Sequence, residues 1–186
     1  MQRLTRLFSP SSLLATLAIG LGSLGAIATP ASAVELPDGT IAFEAPPRFV
    51  SLSANHPCAS VPSNYYFTLE VPESAGEALK QVTITQPEGA EALDFNFDAS
   101  VACEGGRGGR KIALERMNSD PNNDRSWTFS FDRAIEPGEK VTIRLHTDRN
   151  PELDGFYLFG VTAFPEGEQV RGQFLGLHQL SLDGGS

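Results

Sequence analysis

Along most of the chain, apolar residues alternate with polar ones, the period of a β-strand that buries one face. This alternation predicts half-buried antiparallel strands at residues 65–71, 93–97, 127–131 and 141–145. Five further strands are predicted at residues 40–44, 48–54, 80–86, 111–116 and 178–182. Residues 156–164 are apolar at nearly every position, which predicts a central strand covered on both faces, with Gly160 at a close approach or bulge.

Glycine and proline interrupt this pattern so often that long helices have almost no room. The chain has 18 Gly and 13 Pro, and turn signals such as Asp38-Gly39 and Asp154-Gly155 separate the predicted strands. Many short strands with frequent turns are typical of all-β folds. The sequence therefore predicts a single antiparallel β-sandwich, immunoglobulin-like in plan, with a partly open β-barrel as the second choice.

The N-terminal segment has the three parts of a Sec-type signal peptide. Arg3 and Arg6 precede an apolar run over residues 13–27, and Ala31-Ser32-Ala33 supplies the small-x-small pattern that signal peptidase cleaves. The run is short for a membrane span. We expect cleavage after Ala33, which leaves residues 34–186 as one exported β-sandwich domain in the periplasm, thylakoid lumen or extracellular space.

The net charge limits the classes of partner that the exported domain is expected to bind. The 186 residues include 14 Lys+Arg and 23 Asp+Glu, a net charge of −9. A nucleic acid needs a basic face, so we expect no nucleic-acid binding. Residues 34–186 also contain no further apolar segment long enough to cross a membrane. An acidic surface favours a basic partner or a divalent cation, with binding that weakens as salt rises.

The chain has two cysteines, Cys58 and Cys103. In an oxidising compartment the pair predicts one structural disulfide. The alternative is a copper or zinc site built from His56, Cys58 and Cys103. No fourth ligand is marked in the sequence, so we favour the disulfide.

A second candidate for metal binding is the loop over residues 118–124. Asp120, Asn122 and Asp124 have the spacing that begins an EF-hand calcium loop. The pattern then fails, because Arg125 stands where the loop needs glycine and Phe131 where it needs glutamate. Asn, Asp and Pro are also the residues of hairpin turns, so a turn is the favoured interpretation.

The glycine-rich segment from Cys103 to Arg110 lacks the Gly-Lys-Ser/Thr ending of a phosphate-binding loop. It predicts a flexible hairpin connection, with Arg107 and Arg110 as contacts for an acidic partner.

Catalytic motifs are absent from the sequence: there is no G-x-S-x-G and no H-E-x-x-H, and the three histidines are scattered. On its strand, His146 falls on the polar face. We predict no catalytic residue, no cofactor and no enzymatic activity.

Four segments carry a family resemblance: ELPDGTIAFEAPPRFVS, YYFTLEVPESAGEALKQVTITQPEG, PGEKVTIRLHTDRNP and GFYLFGVTAFPEGE. In this order they resemble the exported cyanobacterial family catalogued as domain of unknown function 2808. The resemblance implies an exported single-domain protein of cyanobacterial type and transfers no active site. Cys58 and the segment from Cys103 to Arg110 depart from the family's pattern, so any role there would be particular to this chain.

Three hypotheses for function follow. The favoured one is a non-enzymatic binding module of the cell envelope, whose partner is a protein or an envelope polymer. The first alternative is a periplasmic copper-type metal binder, although Met117 is the only methionine left after cleavage. The second alternative is a hydrolase whose site the sequence does not reveal. The pattern leaves the oligomeric state open.

Overall fold

The computed structural model of the chain describes residues 34–35, 38–117 and 125–184. The regular secondary structure of this part is entirely β. Its strands are β1 (Val34–Glu35), β2 (Ile41–Ala42), β3 (Arg48–Ala54), β4 (Ser63–Glu70), β5 (Leu79–Glu88), β6 (Asn96–Glu104), β7 (Lys111–Ile112), β8 (Leu114–Met117), β9 (Ser126–Ile135), β10 (Lys140–Thr147), β11 (Gly155–Pro165) and β12 (Gln173–Leu182).

Two five-stranded antiparallel sheets face each other. The first sheet has the order β3-β4-β10-β6-β7, and the second has the order β12-β11-β5-β9-β8. β1 and β2 form a small separate ribbon. The predicted fold class, an all-β sandwich of two antiparallel sheets, is confirmed. The second choice, a barrel, is wrong because the two sheets stay separate.

The core lies between the sheets and follows the predicted alternation. On β4 the side chains of Tyr65, Phe67 and Leu69 are fully buried, and the intervening residues are partly exposed. The central strand β11 buries Tyr157 and Phe159 from the opposite side. Phe159 meets Phe67 edge-on with a centroid distance of 5.5 Å. These aromatic contacts join the two sheets into one core.

The prediction of a strand at residues 93–97 is wrong for most of its length. Leu93 and Phe95 are buried as the alternation indicates, but they lie in a loop, and β6 begins only at Asn96. The side-chain carbonyl of Gln86 accepts a hydrogen bond from the Leu93 N–H at 2.9 Å, and its amide donates to the Glu91 carbonyl. The buried Gln86 thus replaces the strand partners that this segment lacks.

The predicted strand at residues 111–116 is divided between the two sheets. β7 belongs to the first sheet and β8 to the second, and the chain crosses between them at Ala113. Ile112 and Leu114 both point toward the shared core, so the alternation continues through the crossing. Alternation cannot reveal such a change of sheet, because Ile112 in the first sheet and Leu114 in the second are two residues apart and both face the core.

The two sheets approach each other where β3 and β12 form their edges. Beyond each end of β12 the chain makes a short parallel bridge, Ile41 with Val170 and Cys58 with Asp183. Between these bridges Phe49 of β3 stacks on His178 of β12, with ring centroids 3.4 Å apart. The ends of this edge are therefore tied by backbone hydrogen bonds, and its middle is closed by two rings.

Candidate functional site

The structure places the two cysteines at opposite ends of β10. Cys103 is buried on β6 opposite Thr142, near the beginning of β10. Cys58 is exposed in a loop whose carbonyl accepts a 2.7 Å hydrogen bond from Asn150, beyond the end of β10. Five residues of extended strand cover about 16 Å, whereas the Cα atoms of a disulfide lie within about 7 Å. Both thiols are free, so the predicted disulfide is absent from the structure.

The same separation removes the alternative metal site of His56, Cys58 and Cys103. In the described ranges, no group of three or more His, Cys, Asp or Glu side chains is arranged to hold a metal ion. Asp120 and Asp124, the other candidate ligands, lie outside the described residues, as does the turn favoured for residues 118–124. The strands on either side of them, β8 and β9, pair in antiparallel fashion.

Asp94, Asn96 and Asp98 alternate with apolar residues in the sequence, but they do not lie along one strand, because Asp94 precedes β6. Asp94 and Asn96 instead line an open polar cavity of about 350 Å³ with Asp148. The Asn96 amide donates to Asp148 at 3.0 Å, and the opposite oxygen of Asp148 lies 3.3 Å from Nε2 of His146. His146 also contacts the Asn64 side chain at 3.1 Å. His146 is thus a half-buried member of a hydrogen-bonded group on the polar face of its strand.

The glycine-rich segment is the connection between β6 and β7, and it folds back over the outer side of the first sheet. The N–H of Gly105 donates to the Lys140 carbonyl at 2.7 Å, and the Thr142 hydroxyl donates to the Gly105 carbonyl at 2.7 Å. The guanidinium of Arg107 lies 4.1 Å from the ring centroid of Tyr66 and donates to the Ser53 hydroxyl. These contacts hold the connection against β10, β4 and β3.

The second arginine of this connection belongs to an ion-pair network within the chain. Glu104 accepts hydrogen bonds from Arg110 and Arg133, and Arg133 also pairs with Glu139 at 2.9 Å. The hydrogen bond from Arg110 contributes most to a lowered pKa of the Glu104 carboxyl, and Arg133 adds to it. Arg110 therefore has an acidic partner inside the protein, and the network links β6 to β9.

A buried polar cluster at one end of the sandwich was not predicted. Asn150 is 2% exposed, and its side chain accepts a hydrogen bond from the Tyr65 hydroxyl at 2.8 Å. Its amide donates to the carbonyls of His56 and Cys58. The sequence Asn150-Pro151 indicated only a turn, because no local pattern shows that an asparagine reaches residues some ninety positions away.

The outer side of the second sheet carries a surface that the sequence analysis missed. We call it the neutral face. Its outward-pointing residues are Gln81, Thr83 and Thr85 of β5, Ser126, Thr128 and Ser130 of β9, Phe156, Leu158, Gly160, Thr162 and Phe164 of β11, and Phe174, Leu177, Gln179 and Ser181 of β12. None of these residues is charged. The nearest acidic residues in register are Glu88 opposite Leu158 and Glu115 opposite Ser130, both at its border.

Large apolar side chains stand out from one half of the neutral face. Phe156 is 66% exposed, Phe174 is 54% exposed and Leu177 is 55% exposed. The prediction that residues 156–164 are covered on both faces is therefore wrong: the inward row of β11 is buried, whereas the outward row is at least partly exposed except at Gly160. An interior strand has hydrogen-bonded neighbours on both sides, but nothing in the described chain forms a layer over its outward row.

Gly160 shapes the centre of this apolar half. A Cβ atom at Gly160 would lie 3.2 Å from the Phe174 ring, 3.6 Å from Leu177 and 2.6 Å from the Thr85 hydroxyl. The register between β11 and β12 shifts between Gly160 and Thr162, so Phe174 and Leu177 lie on the same side of the sheet. This shift is why simple alternation on β12 did not reveal the pair.

The outer side of the first sheet is different. Cross-strand pairs there include Arg48 with Glu70 and Lys140 with Glu70, and Arg144 and His146 lie on β10. The glycine-rich connection also covers part of it. Charge is thus concentrated on one outer side of the sandwich, and exposed apolar surface is concentrated on the other.

A family model described as "Protein of unknown function (DUF2808)" matches residues 40–182, so the chain belongs to this family. No curated protein sequence matches the chain significantly. No helix of the described residues is long and apolar enough to cross a membrane.

Several solved β-domains are similar to this chain in fold. The bacterial hydrophobin BslA has 13% identity and a TM-score of 0.44, over 76% of this chain and 97% of that protein. The collagen-binding domain of a Staphylococcus aureus adhesin has 7% identity and a TM-score of 0.37, over 65% and 87%. The collagen-binding subdomain ACE19 of the Enterococcus faecalis surface protein ACE has 7% identity and a TM-score of 0.40, over 75% and 94%.

Proposed function

We propose that residues 34–186 are a non-enzymatic binding module of the cell envelope, exported through the Sec pathway after removal of residues 1–33. The contact surface of this module is the neutral face. The observation that carries the proposal is the exposure of Phe156, Phe174 and Leu177, each more than half exposed on two adjacent strands. A cyanobacterial envelope is the setting that the family resemblance implies.

Several exposed apolar side chains on neighbouring strands have a different meaning from one alone. A single exposed apolar residue is ordinary on a protein surface, but a contiguous group marks a contact surface. Covering the group with a partner stabilises the complex by about 25 cal/mol per Å² of apolar area removed from water. The sheet beneath is hydrogen-bonded on both sides of β11, so the surface is already formed before binding.

The test is capture of envelope material by the immobilised domain. We compare the wild type with a Phe156→Ser/Phe174→Ser double variant and with a control, Val50→Ser. Val50 is 49% exposed on β3 of the first sheet, so the control removes a similarly exposed apolar side chain elsewhere. We expect the double variant to lose the bound material and the control to keep it. Equal capture by all three proteins would contradict the proposal.

A further inference from the structure

We propose that the neutral face binds an uncharged polysaccharide chain that lies along β11. This inference rests on the proposed function and names the chemical class of the partner. The polar groups beside Asp148 and the ion pairs around Glu104 already have partners within the chain. The neutral face differs because its apolar half has no partner layer in the described chain.

The absence of charge distinguishes the neutral face from the rest of the protein surface. The chain has 23 acidic and 14 basic residues, yet the outward positions of the neutral face include no charged side chain. The charged residues of its four strands, Lys80, Glu88, Asp132 and Arg133, lie toward the ends of β5 and β9. An anionic polymer would find no cation on this surface and would meet Glu88 and Glu115 at its border. A basic protein would find no carboxylate within it. The uncharged surface therefore fits an uncharged partner.

Apolar and polar groups are arranged on the neutral face in a way that matches a sugar. β11 and β12 carry the exposed Phe156, Phe174 and Leu177, whereas β5 and β9 carry hydroxyl and amide side chains. We call the hydroxyl and amide side chains of β5 and β9 the hydroxyl field. A sugar ring has the same two-sided character, with an apolar C–H face and a rim of hydroxyls. Phenylalanine rings can stack on the C–H faces, and the hydroxyl field can exchange hydrogen bonds with the rim.

The hydroxyl field is held in place before any ligand binds. The Thr83 and Thr128 hydroxyls are 2.9 Å apart, so one donates to the other. The Thr85 hydroxyl lies 3.5 Å from the Gly160 carbonyl. A hydroxyl has one donor and two acceptor positions, so these side chains keep hydrogen-bonding capacity for a ligand. Preformed groups lose little conformational entropy on binding.

The spacing of the aromatic residues suits a chain rather than a single sugar. Phe156 and Gly160, which lies beneath Phe174 and Leu177, are four residues apart on β11, or about 13 Å of strand. One sugar ring cannot contact both Phe156 and the pair of Phe174 and Leu177, whereas an oligosaccharide that lies along β11 can. The sheet is continuous on both sides of β11, so a ligand along this strand would be supported over its length.

A second copy of the protein fits this surface less well. Four strands by about eight residues give roughly 20 by 26 Å, or about 1,000 Å² in total for two copies packed face to face. Stable interfaces bury about 1,200–2,000 Å² and homodimer interfaces are about 65% apolar. The neutral face is near the lower limit of area, and its β5 and β9 half is hydroxyl and amide.

The experiment is affinity electrophoresis of the purified domain, residues 34–186, in native gels that contain a soluble polysaccharide. The neutral probes are amylose, xyloglucan, hydroxyethyl cellulose and the neutral polysaccharide fraction of the cell's own envelope, and alginate is the anionic probe. The proteins are the wild type, Phe156→Ser/Phe174→Ser and the Val50→Ser control. Sedimentation and a vesicle-flotation assay with phosphatidylcholine run in parallel.

We expect at least one neutral probe to retard the wild type and the control, with roughly tenfold weaker binding by the double variant. Retardation should be unchanged between about 0.05 and 0.5 M NaCl, because no ion pair is involved. Absence of retardation by every neutral probe would overturn the inference. So would binding to alginate alone, flotation with vesicles, or a dimer that the double variant dissociates. If envelope capture still depends on Phe156 and Phe174, these outcomes leave the proposed function standing.

Discussion

At the scale of single residues, burial and hydrogen bonding decide which polar groups can react and which only stabilise the fold. Cys58 and Cys103 are the same residue type in one compartment, yet one is exposed and the other is buried between β10 and β7. The side chains of Asn150 and Tyr65 are polar but buried, and they are joined by a hydrogen bond. Their roles follow from their surroundings and can be tested one at a time.

The two thiols should differ in reactivity. In the native protein we expect Cys58 to react with a maleimide reagent, whereas Cys103 should react only after unfolding. Mass spectrometry of labelled peptides with and without urea measures both. If neither cysteine reacts before reduction, the protein has a disulfide and the free-thiol structure is contradicted.

Asn150 should contribute much more to stability than its partner hydroxyl. Asn150→Ala leaves the Tyr65 hydroxyl and the carbonyls of His56 and Cys58 without their partner, so we expect a loss of about 2–4 kcal/mol in the free energy of unfolding. Tyr65→Phe removes one hydrogen bond and should lose only about 1 kcal/mol. Urea denaturation of both variants measures the difference, and equal losses would show that the carbonyl contacts contribute nothing.

At the scale of elements, the edge formed by β3 and β12 depends on a neutral histidine. The ring of His178 stacks on Phe49, and no polar atom of the described residues lies within hydrogen-bond distance of its buried Nε2. Burial lowers the pKa of His178, and a hydrogen bond with the Leu175 backbone opposes this only in part. The charged form is therefore disfavoured in the folded state.

The free energy of unfolding should therefore fall as the pH is lowered, because protonation of His178 is favoured only in the unfolded chain. The unfolded chain binds the proton below a pKa of about 6.5, while the folded protein resists it. The contribution of neutral His178 is thus fully present above that pH and is lost progressively below it. We expect the wild type to lose stability relative to His178→Phe between pH 7.5 and pH 5. Denaturation curves at both values measure it, and a constant difference would show that His178 does not titrate differently on folding.

The connection between β6 and β7 should be dispensable for the fold. Deleting residues 105–109 removes the two hydrogen bonds of Gly105 to β10 and the contact of Arg107 with Tyr66. We expect a folded protein that is less stable by about 1–3 kcal/mol, since loop shortening itself changes the entropy little. Circular dichroism and urea denaturation measure both properties, with Arg107→Ala as the control for the side-chain contact. Loss of the β spectrum would contradict this expectation.

At the scale of the whole molecule, the two outer sides of the sandwich separate charge from exposed apolar surface. The first sheet carries the ion pairs and is partly covered by a connection, whereas the second sheet presents the neutral face. A domain with one such face is suited to lie against a partner in a single orientation. We expect cleavage after Ala33 to leave this domain without the N-terminal segment, residues 1–33.

Processing of this segment is the prediction that belongs to the whole chain. The pattern Ala31-Ser32-Ala33 predicts that the exported protein begins at Val34. Intact-mass measurement of protein isolated from the envelope of the native cell checks the cleavage position. Replacing Ala33 with a bulky residue should retain the precursor, and an exported wild-type protein that still has residues 1–33 would contradict the prediction.

The sequence by itself determined the all-β class, most strand positions and the inward rows of the core. This works because alternation records which side of each strand is buried, and residues such as Tyr65 and Phe67 follow it without exception. Tertiary structure decided what alternation cannot record. Local pattern gives no distance between Cys58 and Cys103, no change of sheet at Ala113 and no partner for Asn150. It also cannot show whether an outward row is covered, so only the packing of the sheets revealed that Phe156, Phe174 and Leu177 face solvent.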